Sequence, residues 1–296
     1  MATEWEGKSR GTLLGYRIYI FFLKHFGITT AYLVLRFVIV YYVLFSPKNN
    51  RDSYTYFRKR HGYSKWRSIL AVYKNYYVFG QTLTDRVAIA TGLRDRFTFK
   101  HHGIEHIDNL LQQNKGGILI SGHVGNFEIS HYFLEDRYHI SNISMVTTRA
   151  EHQDIKEYME RISEKSHLKF IVIQEDMSHV FEIHKAIDEG GLVVFTGDRY
   201  MPGAKTLKAD FLGKEASFPV GPYLLASRLK LPVLFVYFMK DEGRHYNLYA
   251  ESAEFKARDA QGLLEEYVQS MEGVLKKYPL QWFNYYDFWK DREGDS

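Results

Sequence analysis

The chain has 296 residues, a formal net charge of +4, and is 45% hydrophobic and 25% charged, which suits one large α/β domain or two small ones. It contains no Cys, which excludes thiol nucleophiles, disulfides and thiolate-bound zinc or iron–sulfur centres. Aromatic residues make up 16%, with 23 Tyr and 21 Phe, a composition that fits either an aromatic core or a surface meeting a bilayer interface or an acyl chain.

The charge is unevenly placed. Residues 1–65 carry eleven Lys and Arg against three acids, a balance of +8, so the rest of the chain is −4. Cations interleaved with apolar runs favour an anionic lipid surface, at roughly 1 kcal/mol per well-placed charge. Nucleic acid would also attract such a segment, but no nucleic-acid-binding motif accompanies it. Two apolar stretches lie in this region, at about 12–22 with Arg17 inside and at about 27–46 with Arg36 near the middle. The second has roughly the length of a membrane span, but a central Arg costs about 2.5–3.5 kcal/mol on insertion. A pair of interfacial helices, with the cations lifted toward headgroups, suits the pattern better than a spanning helix or ordinary packed helices. Ser46-Pro47-Lys48 gives no small-residue cleavage pattern, so the stretch does not read as a signal peptide.

From about 65 to 95, Trp66, Ile69, Leu70, Val72, Tyr73, Tyr76 and Tyr77 recur at helical spacing. Strand-like apolar runs follow at 117–121, 143–147, 169–173, 192–196 and 232–238, with helical patterns between them at about 126–136, 151–165, 177–188 and 219–229. A strand at 245–250 and an amphipathic helix at 260–277 close the series. Apolar strands alternating with helices predict an α/β fold with a mainly parallel central sheet covered by helices on both faces, preceded by N-terminal membrane-associating helices. The simplest partition is a basic apolar segment over 1–65 and a catalytic domain over 66–296.

The stretch Gly116-Gly117-Ile118-Leu119-Ile120-Ser121-Gly122-His123-Val124-Gly125-Asn126-Phe127-Glu128 carries the most chemistry. A buried strand ending in small residues places His123 outside the carboxyl end of a parallel strand, where open α/β sheets build their sites. Gly122 and Gly125 would leave room for a substrate at the backbone. Spacing alone decides little, because four of the thirteen histidines have an acid five residues later: His123, His131, His152 and His184. Only His123 follows an apolar strand and a glycine turn; the other three read as solvated helix faces. A five-residue step does not align two side chains on a regular helix, so His123 and Glu128 meet only if His123 precedes the helix.

The group chemistry is that of a general base. A neutral imidazole takes a proton from an acceptor hydroxyl as it attacks a thioester carbonyl, and a carboxylate on the second ring nitrogen fixes the tautomer. There is no G-x-S-x-G elbow, which favours direct attack over an acyl-enzyme, and backbone N–H groups at the helix start are candidate oxyanion donors. A histidine satisfied at a strand end is the competing structural reading. No Walker A loop or nucleotide glycine fingerprint is present, so no cofactor is implied. His101, His102 and His106 lack acids at metal-ligand spacing and read as a loop, with no metal site.

Ser121-Gly122-His123-Val124-Gly125-Asn126-Phe127-Glu128 resembles the histidine–four residues–acid motif of the lysophospholipid acyltransferase superfamily, closest to its lipid A biosynthesis (late) acyltransferase branch. Val146-Thr147-Thr148-Arg149, Phe195-Thr196-Gly197-Asp198-Arg199, Phe211-Leu212-Gly213-Lys214 with Phe218-Pro219-Val220-Gly221, and Tyr278-Pro279-Leu280-Gln281-Trp282-Phe283-Asn284 resemble further blocks of that branch in the same order, over about 100–290. The resemblance implies His123 as general base and Glu128 as its orienting acid, where many relatives carry Asp. It implies Arg149 and Arg199 as contacts for phosphate or carrier, Asp198 as a group that positions the acceptor or holds Arg199, and Gly125 and Asn126 beside the substrate. For Arg149, Asp198 and Arg199 the competing reading is a surface ion pair or a strand-end cap. Trp282 reads as a packing anchor.

The implied activity is acyl transfer from acyl carrier protein or acyl-CoA to a lipid-linked hydroxyl or amine, at the cytoplasmic face of the inner membrane. The resemblance implies a lipid A precursor-like acceptor, with an amino-acid lipid or an aryl-polyene type lipid as the alternative. A non-catalytic acyl-chain-binding membrane adaptor and a hydrolase are rivals of other classes.

Overall fold

A computed structural model describes residues 13–140, 142–147, 168–174, 176–200 and 203–290. Helix α1 (Leu13–Phe45) is broken at Gly27, whose φ of 78° and ψ of 171° are not helical. It is followed by α2 (Pro47–Thr55), a π-turn at Tyr56–Arg60 and α3 (Lys65–Ala90). Ser64 caps α3 by accepting from the Arg67 N–H, one of the donors a helix start leaves open. The sheet region runs β1 (Thr98–His102), α4 (Ile104–Gln112), β2 (Gly117–Ser121), α5 (Ser130–Tyr138), β3 (Ile143–Thr147), β4 (Leu168–Val172), α6 (Ser178–Asp188) and β5 (Leu192–Thr196). It continues with β6 (Thr206–Phe211), β7 (Lys214–Pro219), α7 (Val220–Arg228), β8 (Val233–Lys240), β9 (His245–Ser252) and α8 (Ala260–Lys277).

Seven strands form one sheet in the order β1-β9-β8-β2-β5-β3-β4, with β6 and β7 as a separate hairpin. The pairs β8–β2, β2–β5, β5–β3 and β3–β4 are parallel, and β9 turns back antiparallel on β8. The fold is therefore α/β with a mixed, mainly parallel sheet, as the alternation of apolar runs and helices predicts. Successive strand residues face opposite layers. Ile118, Ile120, Val193 and Phe235 enter the core formed with Tyr223 of α7 and Tyr267 of α8. Leu119, Val194 and Leu234 enter the one formed with Leu110 of α4 and Phe133 of α5. Every residue of β2 is buried, which puts the strand leading to His123 at the centre of the molecule.

The second half of α1 packs on α3. The Tyr77 and Tyr73 hydroxyls donate to the carbonyls of Tyr32 and Arg36, both at 3.3 Å, and Gly80 lacks a side chain where Leu35 sits. Among the described residues, His25–Phe45 is the one helical stretch long and apolar enough to cross a membrane. Leu33, Phe37, Tyr41 and Leu44, at helical spacing, are exposed along its outer face. That outer stripe is the kind that associates with lipid. Arg36, the cation within it, lies 5.9 Å from the centre of the Tyr77 ring.

Two expectations change, and one element is new. His101 and His102 lie in β1 and His106 in α4, not in a loop. The ring of His102 bonds Asn247 and that of His106 bonds Ser252. Residues 206–219 form a hairpin before α7. His131, expected on a solvated face, is buried because the 3-10 turn Phe127–Ile129 carries α5 onto the sheet. The helix expected at 151–165, with His152, lies outside the described residues.

Candidate active site

Two strands end in the same way. Ser121-Gly122-His123 follows β2 and Thr196-Gly197-Asp198 follows β5. The strands are parallel neighbours with Ser121 opposite Thr196, so the residues two steps beyond each arrive side by side. His123 Nδ1 lies 2.8 Å from Asp198 Oδ1, and the His123 backbone N–H donates to Asp198 Oδ2 at 3.0 Å. Trp282 Nε1 donates to the same Oδ2 at 3.3 Å. The Asp198 side chain is 1% exposed and the His123 side chain 27%: the carboxylate is sealed while the imidazole reaches the surface.

The loop after His123 is pinned from both sides. The Gly125 N–H donates to the Gln281 carbonyl at 2.8 Å, the Asn126 N–H to the Phe238 carbonyl at 2.7 Å, and the Phe283 N–H to the His123 carbonyl at 3.0 Å. Gly125 has a φ of +62°, and a side chain on it would run into the Phe238 carbonyl; only glycine suits both demands. A side chain on Gly122 would meet the Tyr267 hydroxyl and Asp198. Both glycines make room for the protein's own atoms. The Asn126 amide is likewise turned inward, donating to the Thr82 carbonyl at 3.1 Å and the Tyr246 hydroxyl at 3.2 Å. The N–H groups of His123, Gly125 and Asn126 are thus committed within the protein and are not the oxyanion donors the sequence suggested.

Val124 and Gly125 are bridged to Trp282 and Phe238, so the α-helix begins only at Ser130. The Glu128 carboxylate forms an ion pair with Arg86 of α3, each side chain about one-third exposed. The carboxylate on the His123 ring is therefore Asp198, where the family resemblance implied Glu128. Arg199 Nη2 donates to the Phe283 carbonyl at 2.6 Å, bracing the closing segment that holds the loop. Trp282 packs among Tyr56, Phe211, Phe288 and Trp289, as its reading as an anchor requires, and its ring N–H adds the bond to Asp198. Arg149 lies outside the described residues.

Both halves of this site, and the sheet that aligns them, fall within residues 71–291, which match the model of the bacterial lipid A biosynthesis acyltransferase family. The chain belongs to that family. No curated protein matches it. Among the described residues of this acyltransferase-family chain, no three His, Asp or Glu side chains are grouped to hold a metal ion.

Burial alone would raise Asp198, but the His123 charge and hydrogen bonds, with Arg199 nearby, hold its carboxyl at about 2. His131 moves the other way: burial lowers it to about 4 although its Nδ1 bonds the Glu128 carbonyl at 2.7 Å. The unfolded chain therefore takes up a proton at His131 as pH falls below about 6.5 while the folded chain stays neutral there until about 4. Stability is expected to drop across that window, by on the order of 3 kcal/mol from this group. For Asp198 the stabilising contribution is complete above its unfolded value near 3.8 and fades as pH falls toward 2. Urea midpoints between pH 7 and 4 should decline, with a shallower slope in His131→Gln; a flat wild-type profile contradicts this.

Proposed function

We propose that the protein transfers a fatty acyl group from an acyl carrier protein or acyl-CoA thioester to a hydroxyl or amine of a lipid-linked acceptor, with His123 as general base. The observation that carries this is the His123 Nδ1–Asp198 Oδ1 bond of 2.8 Å, which keeps the proton on Nδ1 and leaves Nε2 with its lone pair. Nε2 takes the proton from the acceptor as its oxygen or nitrogen attacks the thioester carbon. Collapse of the tetrahedral intermediate breaks the C–S bond, and the imidazolium returns the proton to the departing thiolate. Asp198, fully ionised at neutral pH, stabilises the imidazolium between these two transfers.

Glu128, tied to Arg86 at the rim of the same loop, is assigned a positioning role. Arg199 holds the loop through Phe283, and Arg149 is assigned to an anionic group of acceptor or carrier. The exposed apolar face of α1 and the +8 balance of residues 1–65 support a site at the cytoplasmic face of the inner membrane, where a lipid-linked acceptor such as a lipid A precursor is presented.

The test is thioester consumption by the purified full chain in detergent, with acyl carrier protein or CoA as carrier and with or without a lipid A precursor. Acceptor-dependent loss of thioester with a matching acylated product is expected. Acceptor-independent loss would make the protein a hydrolase, and chain binding with no loss of thioester would make it an adaptor.

A further inference from the structure

Behind the motif loop lies an ion pair that acyl transfer itself does not call for. Lys240 Nζ is 2.6 Å from Asp85 Oδ2, and the two side chains are 3% and 0% exposed. All three ammonium protons are used, on Asp85, on the Tyr32 hydroxyl at 3.0 Å and on the Gly243 carbonyl at 2.6 Å. The carboxylate also accepts from the hydroxyls of Tyr32 and Tyr246. Such a buried pair is seldom more stabilising than apolar packing of the same volume. What it supplies is direction, because every bond in a satisfied network fixes an angle as well as a distance.

Two routes lead from this pair to the residues that follow His123. Through Tyr246, the hydroxyl that donates to Asp85 accepts from Asn126 Nδ2 at 3.2 Å. Through Lys240, the backbone N–H donates to Gln281 Oε1 at 2.9 Å and the carbonyl accepts from Gln281 Nε2 at 2.6 Å. Gln281 in turn accepts the Gly125 N–H on its own carbonyl. On the far side, Tyr32 belongs to the apolar stretch His25–Phe45. The helix with the exposed apolar stripe thus supplies a hydroxyl to the network that holds the loop after His123.

We propose that Tyr32 is a positioning residue: docking of α1 on α3 completes the Asp85–Lys240 network, and that network sets the loop carrying His123. The apolar helix is then part of the catalytic apparatus as well as an attachment to lipid. The rate arm of this inference rests on the acyl-transfer reading; the arm that follows the loop does not.

The test compares Tyr32→Phe, which removes one hydroxyl and keeps the ring, with Tyr73→Phe, which removes an α1–α3 hydrogen bond away from the network. Full-length proteins are assayed for acyl transfer and for amide hydrogen exchange. Tyr32→Phe is expected to lower kcat about tenfold at unchanged KM, and to speed exchange at Gly125 and Asn126 while Leu119 and Val194 in the sheet stay at wild-type rates. Tyr73→Phe is expected to change neither. The inference is overturned if loop exchange in Tyr32→Phe is unchanged, if exchange rises equally through the sheet, if Tyr73→Phe has the same effect, or if an active wild type and Tyr32→Phe share one kcat. An inactive wild type would end the acyl-transfer reading instead, and the exchange comparison would still decide whether Tyr32 holds the loop.

Discussion

Asp198→Asn is expected to lower turnover by on the order of 10²–10⁴-fold. The size follows from which way the new amide must face. Oδ2 of Asp198 accepts from two fixed donors, the His123 backbone N–H and Trp282 Nε1, so an asparagine keeps its carbonyl oxygen there. Its NH2 then occupies the Oδ1 position facing the His123 ring. An NH2 is only a donor, so Nδ1 must become the acceptor and the ring proton moves to Nε2. The imidazole stays in place with its basic nitrogen on the wrong side. Single-turnover acyl transfer reads the loss, and a variant within threefold of wild type would show that Asp198 does not set the ring.

His123→Ala is expected to cost a similar 10²–10⁴-fold in kcat, with KM for the thioester nearly unchanged, because the imidazole acts on the proton and does not hold the carrier. Residues that work as one unit do not contribute additively. The double variant His123→Ala/Asp198→Asn should therefore be no slower than His123→Ala alone, within a factor of about three. Multiplying losses would mean that Asp198 serves the reaction by a route that bypasses the imidazole.

Much of this arrangement is visible in the sequence, and the exceptions have physical causes. Strands β2, β5 and β8 are legible because central parallel strands are buried on both faces and read as unbroken apolar runs. Edge strand β1, Thr-Phe-Lys-His-His, is buried at none of its residues and gives no such signal. Strand β6 of the β6–β7 hairpin is buried only at Phe211, and the two-residue turn is Leu212-Gly213, both at positive φ. A turn of that kind is announced by Asn-Gly or Asp-Gly, and leucine hides it.

The site was half legible. His123 stands out as the histidine after a buried strand and a glycine turn, but its partner is 75 positions away in sequence and no local spacing leads to it. A signal was available: Ser121-Gly122-His123 and Thr196-Gly197-Asp198 share one pattern at the ends of two apolar runs. If those runs pair in register as parallel neighbours, His and Asp must meet. Glu128 is the acid that the family resemblance implies, yet the loop between it and His123 is clamped to Trp282 and Phe238. Asn126 and Gly125 take part in that same clamp through their backbone N–H groups. The Asp85–Lys240 pair joins residues 155 positions apart, and nothing local in either segment marks it.

The most direct measurement is the nitrogen NMR spectrum of the His123 ring at a pH where it is neutral, in wild type, Asp198→Asn and Glu128→Gln. The proton should sit on Nδ1 in the wild type and in Glu128→Gln, and move to Nε2 in Asp198→Asn. A ring that keeps its tautomer in Asp198→Asn but changes it in Glu128→Gln would contradict the assignment and return the orienting role to Glu128.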